Sequence, residues 1–128
     1  MTAYLSQAWL DEGPRDAAAE ALASAGGSGR VGRTISGAPD GELRYTARVA
    51  DGSVAYEAGV ADEVDLSLTD TYANAVALLD GVEDPNALFM RGRTKVAGST
   101  RVLLDLLAAT RTDRYREVRA EVAAASEH

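Results

Sequence analysis

The chain contains no cysteine, and its single histidine is the final residue, His128. The first absence excludes disulfides, thiolate nucleophiles and zinc–thiolate sites. The second leaves no imidazole for a serine triad or a histidine metal site, because a last residue is expected to fray. The eight serines therefore lack an activating base. Lysine is nearly missing as well, with Lys95 the sole candidate amine. No basic-then-apolar leader opens the chain, and no apolar run approaches the roughly 20 residues of a membrane helix. The cytoplasm is the expected compartment. Gly26-Gly27-Ser28-Gly29 is not a phosphate loop, because no Gly-Lys-Ser/Thr follows it and a helix rather than a strand precedes it.

What remains is 128 residues, 46% hydrophobic and 26% charged, the composition of one globular domain spanning residues 1–128. The net charge is −7 and uneven. Met1 to Met90 carries five basic residues against fifteen acidic ones, and Arg91 to His128 carries eight against five. An acidic whole argues against nucleic acid as a partner. The basic third suits an anionic headgroup, or is a set of solvated faces.

Periodicity orders the elements. Tyr4, Leu5, Ala8 and Trp9 predict a first helical piece, broken at Gly13-Pro14. Ala18, Ala21, Leu22 and Ala25 predict a second, ending in a flexible glycine joint. Arg30–Gly37, Glu42–Ala50 and Ser53–Ala58 read as a three-strand meander, turned at Pro39-Asp40-Gly41 and Asp51-Gly52. Its inward residues include Val31, Ile35, Leu43, Tyr45, Ala47, Val49, Val54, Tyr56 and Ala58; Glu42, Arg44, Thr46 and Arg48 face out. A fourth strand is predicted over Glu63–Leu68. A helix capped by Asp70 follows, with Tyr72, Ala75, Val76 and Leu79 in its stripe and Gly81 at its end. Asp84-Pro85 starts a short helix, Arg93–Ala97 forms a fifth strand, and Ser99 caps an apolar helix. A last helix over Asp113–Ala125 turns Tyr115, Val118 and Val122 inward. The fold class is α+β: a mixed sheet of about five strands with helices covering one face.

Catalytic and metal signals are weak. Asp62, Glu63 and Asp65 alternate along a strand, the pattern of a solvated edge more than of a metal site. No catalytic residue, metal or cofactor is assigned. The apolar helices are the remaining signal, and their letters fit either a packed core or the wall of a ligand tunnel.

In order and spacing, several segments resemble the sterol carrier protein type 2 family. They are Ala61-Asp62, Val64-Asp65-Leu66-Ser67-Leu68, Asp84-Pro85, Ala87-Leu88-Phe89-Met90-Arg91-Gly92, Lys95-Val96, and Gly98 before Leu103–Leu107. Asp51-Gly52 matches the family's hairpin, and the tail with Tyr115 is similar to the last helix of small stand-alone bacterial members. Met90 stands where a second phenylalanine is common. The resemblance implies non-catalytic binding and transfer of a fatty acid, fatty acyl-CoA or sterol-like lipid in a tunnel between sheet and helices. Carried across, the wall is Val76, Leu79, Leu88, Phe89, Met90, Leu103, Leu106 and Leu107. An anionic headgroup meets Arg91, Arg93, Lys95 or Arg101, and membrane contact is transient at most. Two other readings stay open: an interaction module without a ligand, and an enzyme using Tyr45, Tyr56 or Tyr72 beside an acid.

Overall fold

The structure, a computed structural model, describes residues 2–60 and 63–128. Ala61 and Asp62, which begin the family-like segment, lie outside the described residues. The chain runs β1 (Thr2–Ala3), α1 (Gln7–Asp11), α2 (Ala17–Ser24), β2 (Gly29–Ala38), β3 (Gly41–Ala50), β4 (Ser53–Ala58) and β5 (Leu66–Thr71). It continues with α3 (Tyr72–Leu79), α4 (Pro85–Met90), β6 (Lys95–Gly98), α5 (Thr100–Ala109), α6 (Asp113–Ala125) and β7 (Ser126–Glu127).

Five strands form one sheet in the order β4-β3-β2-β5-β6, with β2 and β5 parallel and the other neighbours antiparallel. The sheet is therefore mixed, as the fold class requires. Asp51 and Gly52 both take positive φ, 53° and 77°, the geometry of a tight two-residue hairpin turn. The helices cover one face and begin at side-chain caps. Asp16 accepts from the Ala18 and Ala19 amides, Thr71 from Asn74, Asp84 from Ala87, Ser99 from Val102 and Thr112 from Tyr115.

Several boundaries differ from the sequence reading, each for a local reason. Tyr4 and Leu5 precede α1: Leu5 adopts φ 60°, and Ser6 is the cap. The fourth strand is Leu66–Thr71, so Asp70 is its penultimate residue and Thr71 is the cap of α3. Pairing with β2 carries the strand that far, because Ile35 and Ser36 still have partners in Asp70 and Thr71. The fifth strand is Lys95–Gly98. Thr46 is buried on the far side of the sheet and donates to the Gly59 carbonyl at 2.8 Å. Val60 and Val64 also cover this face; a Cβ on Gly32 would lie 2.7 Å from Val60 Cγ1. The glycine joint is partly packed, since Gly27 lies against Leu22. Ala58 is exposed on the edge strand. Instead of fraying, His128 has its Nε2 2.5 Å from Asp80 Oδ1, while β7 pairs in parallel with β1.

Two buried clusters make the core. One gathers Trp9, Ile35, Tyr45, Leu79 and Val118, and the other Leu22, Val31, Leu66, Val102 and Leu106. No helix among the described residues is long and apolar enough to cross a membrane.

Gly98 sets the approach of β6 to β5. Its φ is +120°, and a Cβ there would lie 2.3 Å from the Asp65 carbonyl oxygen. That oxygen also accepts from the Ser99 amide. Gly98→Ala should cost about 3 kcal/mol, combining strain and clash, and should lower the thermal midpoint clearly. A variant melting with the wild type would show that β6 docks independently of this contact.

Candidate functional site

Strand register builds the site. Across the helix-covered face, Tyr45 on β3, Arg33 on β2, Leu68 on β5 and Val96 on β6 stand side by side. Arg33 follows the inward alternation of Val31 and Ile35, so its guanidinium enters the interior, and its side chain is only 12% exposed. Asp16 and Asp70 are buried beside it, with side chains 5% and 3% exposed.

The polar groups interlock. Arg33 Nη1 donates to Asp16 Oδ2 at 3.2 Å and to the Tyr45 hydroxyl at 2.9 Å. The Tyr45 hydroxyl donates in turn to Asp16 Oδ2 at 2.7 Å. Asp16 Oδ1 accepts from the first amides of α2, and the Asp16 amide donates to the Tyr56 hydroxyl at 2.7 Å. Asp70 Oδ1 accepts from Thr94 Oγ1 at 2.7 Å, while Asp70 Oδ2 lies 3.6 Å from Arg33 Nη2. Burial raises the Asp16 pKa, but the Arg33 charge and the hydrogen bonds from Tyr45, the Ala19 amide and Arg33 outweigh it. Its carboxyl therefore sits below the ordinary 3.8. Burial, partly opposed by Arg33, pushes the Tyr4 hydroxyl up to about 12 and holds Tyr45 well above 10. Both stay protonated, so Tyr45 remains a donor to Asp16.

Between the two core clusters lies a cavity of about 90 Å³. Leu68, Leu78, Leu79, Phe89, Val96, Leu103, Leu106 and Leu107 form its apolar wall. The small side chains Ala17, Ala18, Ala19 and Ala75 leave it open. Tyr4, Asp16, Arg33, Asp70 and Thr94 form a polar end.

Of the residues carried over for the wall, Leu79, Phe89, Leu103, Leu106 and Leu107 border this space. Val76 packs against the cluster around Trp9, Leu88 is fully buried on α4, and Met90 is 83% exposed. The carried-over cations Arg91, Arg93, Lys95 and Arg101 are exposed and outside the lining; Arg91 pairs with Glu83 and Arg101 with Asp105, both at 3.3 Å. Two other arginines border the cavity. Arg15 is engaged by Glu20 and Glu121. Arg119 lies 5.8 Å from the Tyr115 ring centroid and against Gly81, at the C-terminal end of α3 where a cation is favoured. Among the described residues no group of acidic or histidine side chains is arranged to hold a metal ion.

Arg33, Asp70 and Asp16 escaped the sequence reading, although a signal was present. Val31-x-Arg33-x-Ile35 places a charge at an inward position of an apolar strand face, and Leu66-x-Leu68-x-Asp70 does so on the neighbouring strand. Two opposite charges on facing apolar stripes are the signature of a buried pair.

Arg33→Met should cost about 3–5 kcal/mol at neutral pH, since it strands two buried carboxylates. The wild type, with Asp16 depressed, keeps that group's stabilisation above 3.8 and loses it as pH falls through the folded value. In the variant, burial unopposed by Arg33 raises the Asp16 carboxyl, so the deficit should shrink as pH falls toward about 4. Urea unfolding across pH would reveal this; a deficit independent of pH would mean that Arg33 contributes through packing alone.

The comparisons agree with the architecture. The chain is similar to the structure of sterol carrier protein 2, with 17% identity, 91% of this chain and 98% of the other covered, and a TM-score of 0.64. A conserved hypothetical protein, possibly a sterol carrier protein, from Thermus thermophilus is 20% identical over 99% of this chain and 93% of its own, with a TM-score of 0.62. Palmitated SCP2L2 from Aedes aegypti is 14% identical over 83% and 87%, with a TM-score of 0.58. No curated protein matches the chain. Residues 8–110, from α1 through the cavity wall of α5, match the SCP-2 sterol transfer family, and the chain belongs to that family.

Proposed function

We propose that this chain is a non-catalytic carrier that binds a fatty acid, fatty acyl-CoA or sterol-like lipid between its sheet and its helices, acting as one domain in the cytoplasm. The observation that carries this reading is the cavity itself, apolar on its helical wall and polar at one end. Each methylene buried there contributes about 0.8 kcal/mol. Association costs on the order of 4–15 kcal/mol, so a long chain supplies enough without any specific polar contact. Broad selectivity along the chain follows, because one methylene more or less changes affinity little.

The cavity is small for this task. At about 90 Å³ it is below the roughly 150 Å³ of an engineered cavity that admits benzene. Holding a lipid chain therefore requires the wall to move. The element best suited to move is α4, which is six residues long and has Leu88 as its one buried residue. It is tied to α5 by Asn86, whose Nδ2 donates to the Thr110 hydroxyl at 3.2 Å.

The other two readings have less support. Val82, Met90 and Leu104 are the exposed large hydrophobic residues among those described; they are scattered over three segments, and none lies on the last helix. Of the tyrosines considered for catalysis, Tyr45 does stand beside an acid, but it is held protonated behind Arg33 and outside the cavity lining.

Leu103→Trp, on the partly buried wall of α5, should reduce affinity for a fluorescent fatty acid at least about tenfold by occupying the cavity, with little change in thermal midpoint. Native mass spectrometry with organic extraction, followed by titration with sterol, fatty acid and acyl-CoA, tests the carrier reading directly. Protein that is bare as purified and binds none of the three would overturn it.

A further inference from the structure

The polar end of the cavity holds one cation and two anions, and their hydrogen bonding is uneven. Asp16 is saturated, accepting from two amides, from Arg33 and from Tyr45. Asp70 is not. Thr94 occupies its Oδ1, and its Oδ2 takes no hydrogen bond among the described residues. The nearest donor, Arg33 Nη2, stands 3.6 Å away, too far for a hydrogen bond. Both residues border the cavity. A strong acceptor and a strong donor thus lie side by side on the wall of a largely apolar space, incompletely satisfied by each other.

The group that completes such a pair must accept from Arg33 and donate to Asp70. A hydroxyl does both. A carboxylate accepts from Arg33 but donates nothing to Asp70, and it adds a third negative charge beside two buried ones. An ether accepts but cannot donate. We infer that Arg33 and Asp70 form a head-group subsite that selects a lipid alcohol over a lipid carboxylate. The inference rests on the carrier reading above and narrows its ligand class. Arg119, the cation on the wall with no carboxylate partner among the described residues, is the alternative anchor for an acid, at the opposite end of α3 from Asp70.

The test uses three ligands with the same apolar chain, so that chain burial cancels: 1-decanol, 1-methoxydecane and decanoate, titrated calorimetrically at neutral pH. Decanol should bind about tenfold or more tightly than the ether, because it alone satisfies a charged acceptor, and tighter still than decanoate. D70N keeps the shape and the acceptor for Thr94 but removes the charge and supplies a donor. It should erase the preference for alcohol over ether and improve decanoate about tenfold. The wild-type ranking stands whether or not the variant folds. Equal binding of alcohol and ether, decanoate binding best, or a ranking unchanged in folded D70N would each overturn the subsite while leaving the carrier reading intact. Failure of all three probes, together with sterol, fatty acid and acyl-CoA, would remove the carrier reading and the inference with it.

Discussion

The guanidinium of Arg33 is a full charge on a sheet face that carries Val31, Ile35, Leu66 and Leu68, and the interior is arranged around it. It links the start of α2, through Asp16, to the end of β5, through Asp70. Tyr45 on β3 and Tyr56 on β4 close the same network over Asp16. Four elements distant in sequence therefore have their relative positions set by one side chain. Because ion pairs are directional where apolar contacts are not, the cluster fixes how the N-terminal helices sit on the sheet.

That arrangement has a cost that packing alone does not explain. A buried ionic cluster is generally no more stabilising than apolar residues of the same volume. Leucine at 33 and 70 would continue both inward stripes and fill the space. Retaining one arginine and two aspartates there keeps a polar end in a cavity that would otherwise be uniformly greasy. The two core clusters to either side, around Trp9 and around Leu22, supply hydrophobic stabilisation independently of this charged seam.

Much of the fold was legible because its signals are local. The Asp51-Gly52 hairpin, the Asp84-Pro85 start, the Ser99 cap and the span of the last helix follow from residues that act on their immediate neighbours. What was not legible depends on partners. The strand of Leu66 reaches Thr71 because β2 is there to pair with it, and Thr46 is buried because a crossing segment covers a face that alternation marks as wet. The site follows the same division. Phe89, Leu103, Leu106 and Leu107 were recognisable as a greasy wall, but Met90 points outward because a six-residue helix has room to bury only one side. The buried charges were visible as letters, yet alternation treats any charge as outward, so an inward arginine becomes visible once its aspartates are known to face it.

Whether such a core is filled or hollow is decided by its smallest residues rather than its largest. The leucines of α3 and α5 would serve equally well in a close-packed interior. The space exists because the surface opposite them is Ala17, Ala18 and Ala19 at the start of α2 and Ala75 on α3, whose side chains stop at Cβ. Alanine is also the strongest helix former, so the same residues that leave the cavity open favour the helix in the first turn of α2 while contributing only a Cβ each to its packing. Its N-terminus needs an anchor for that reason, and Asp16 provides it, capping the helix with one oxygen and holding Arg33 with the other. The void and the charge at its end are thus two consequences of one short stretch, Asp16-Ala17-Ala18-Ala19.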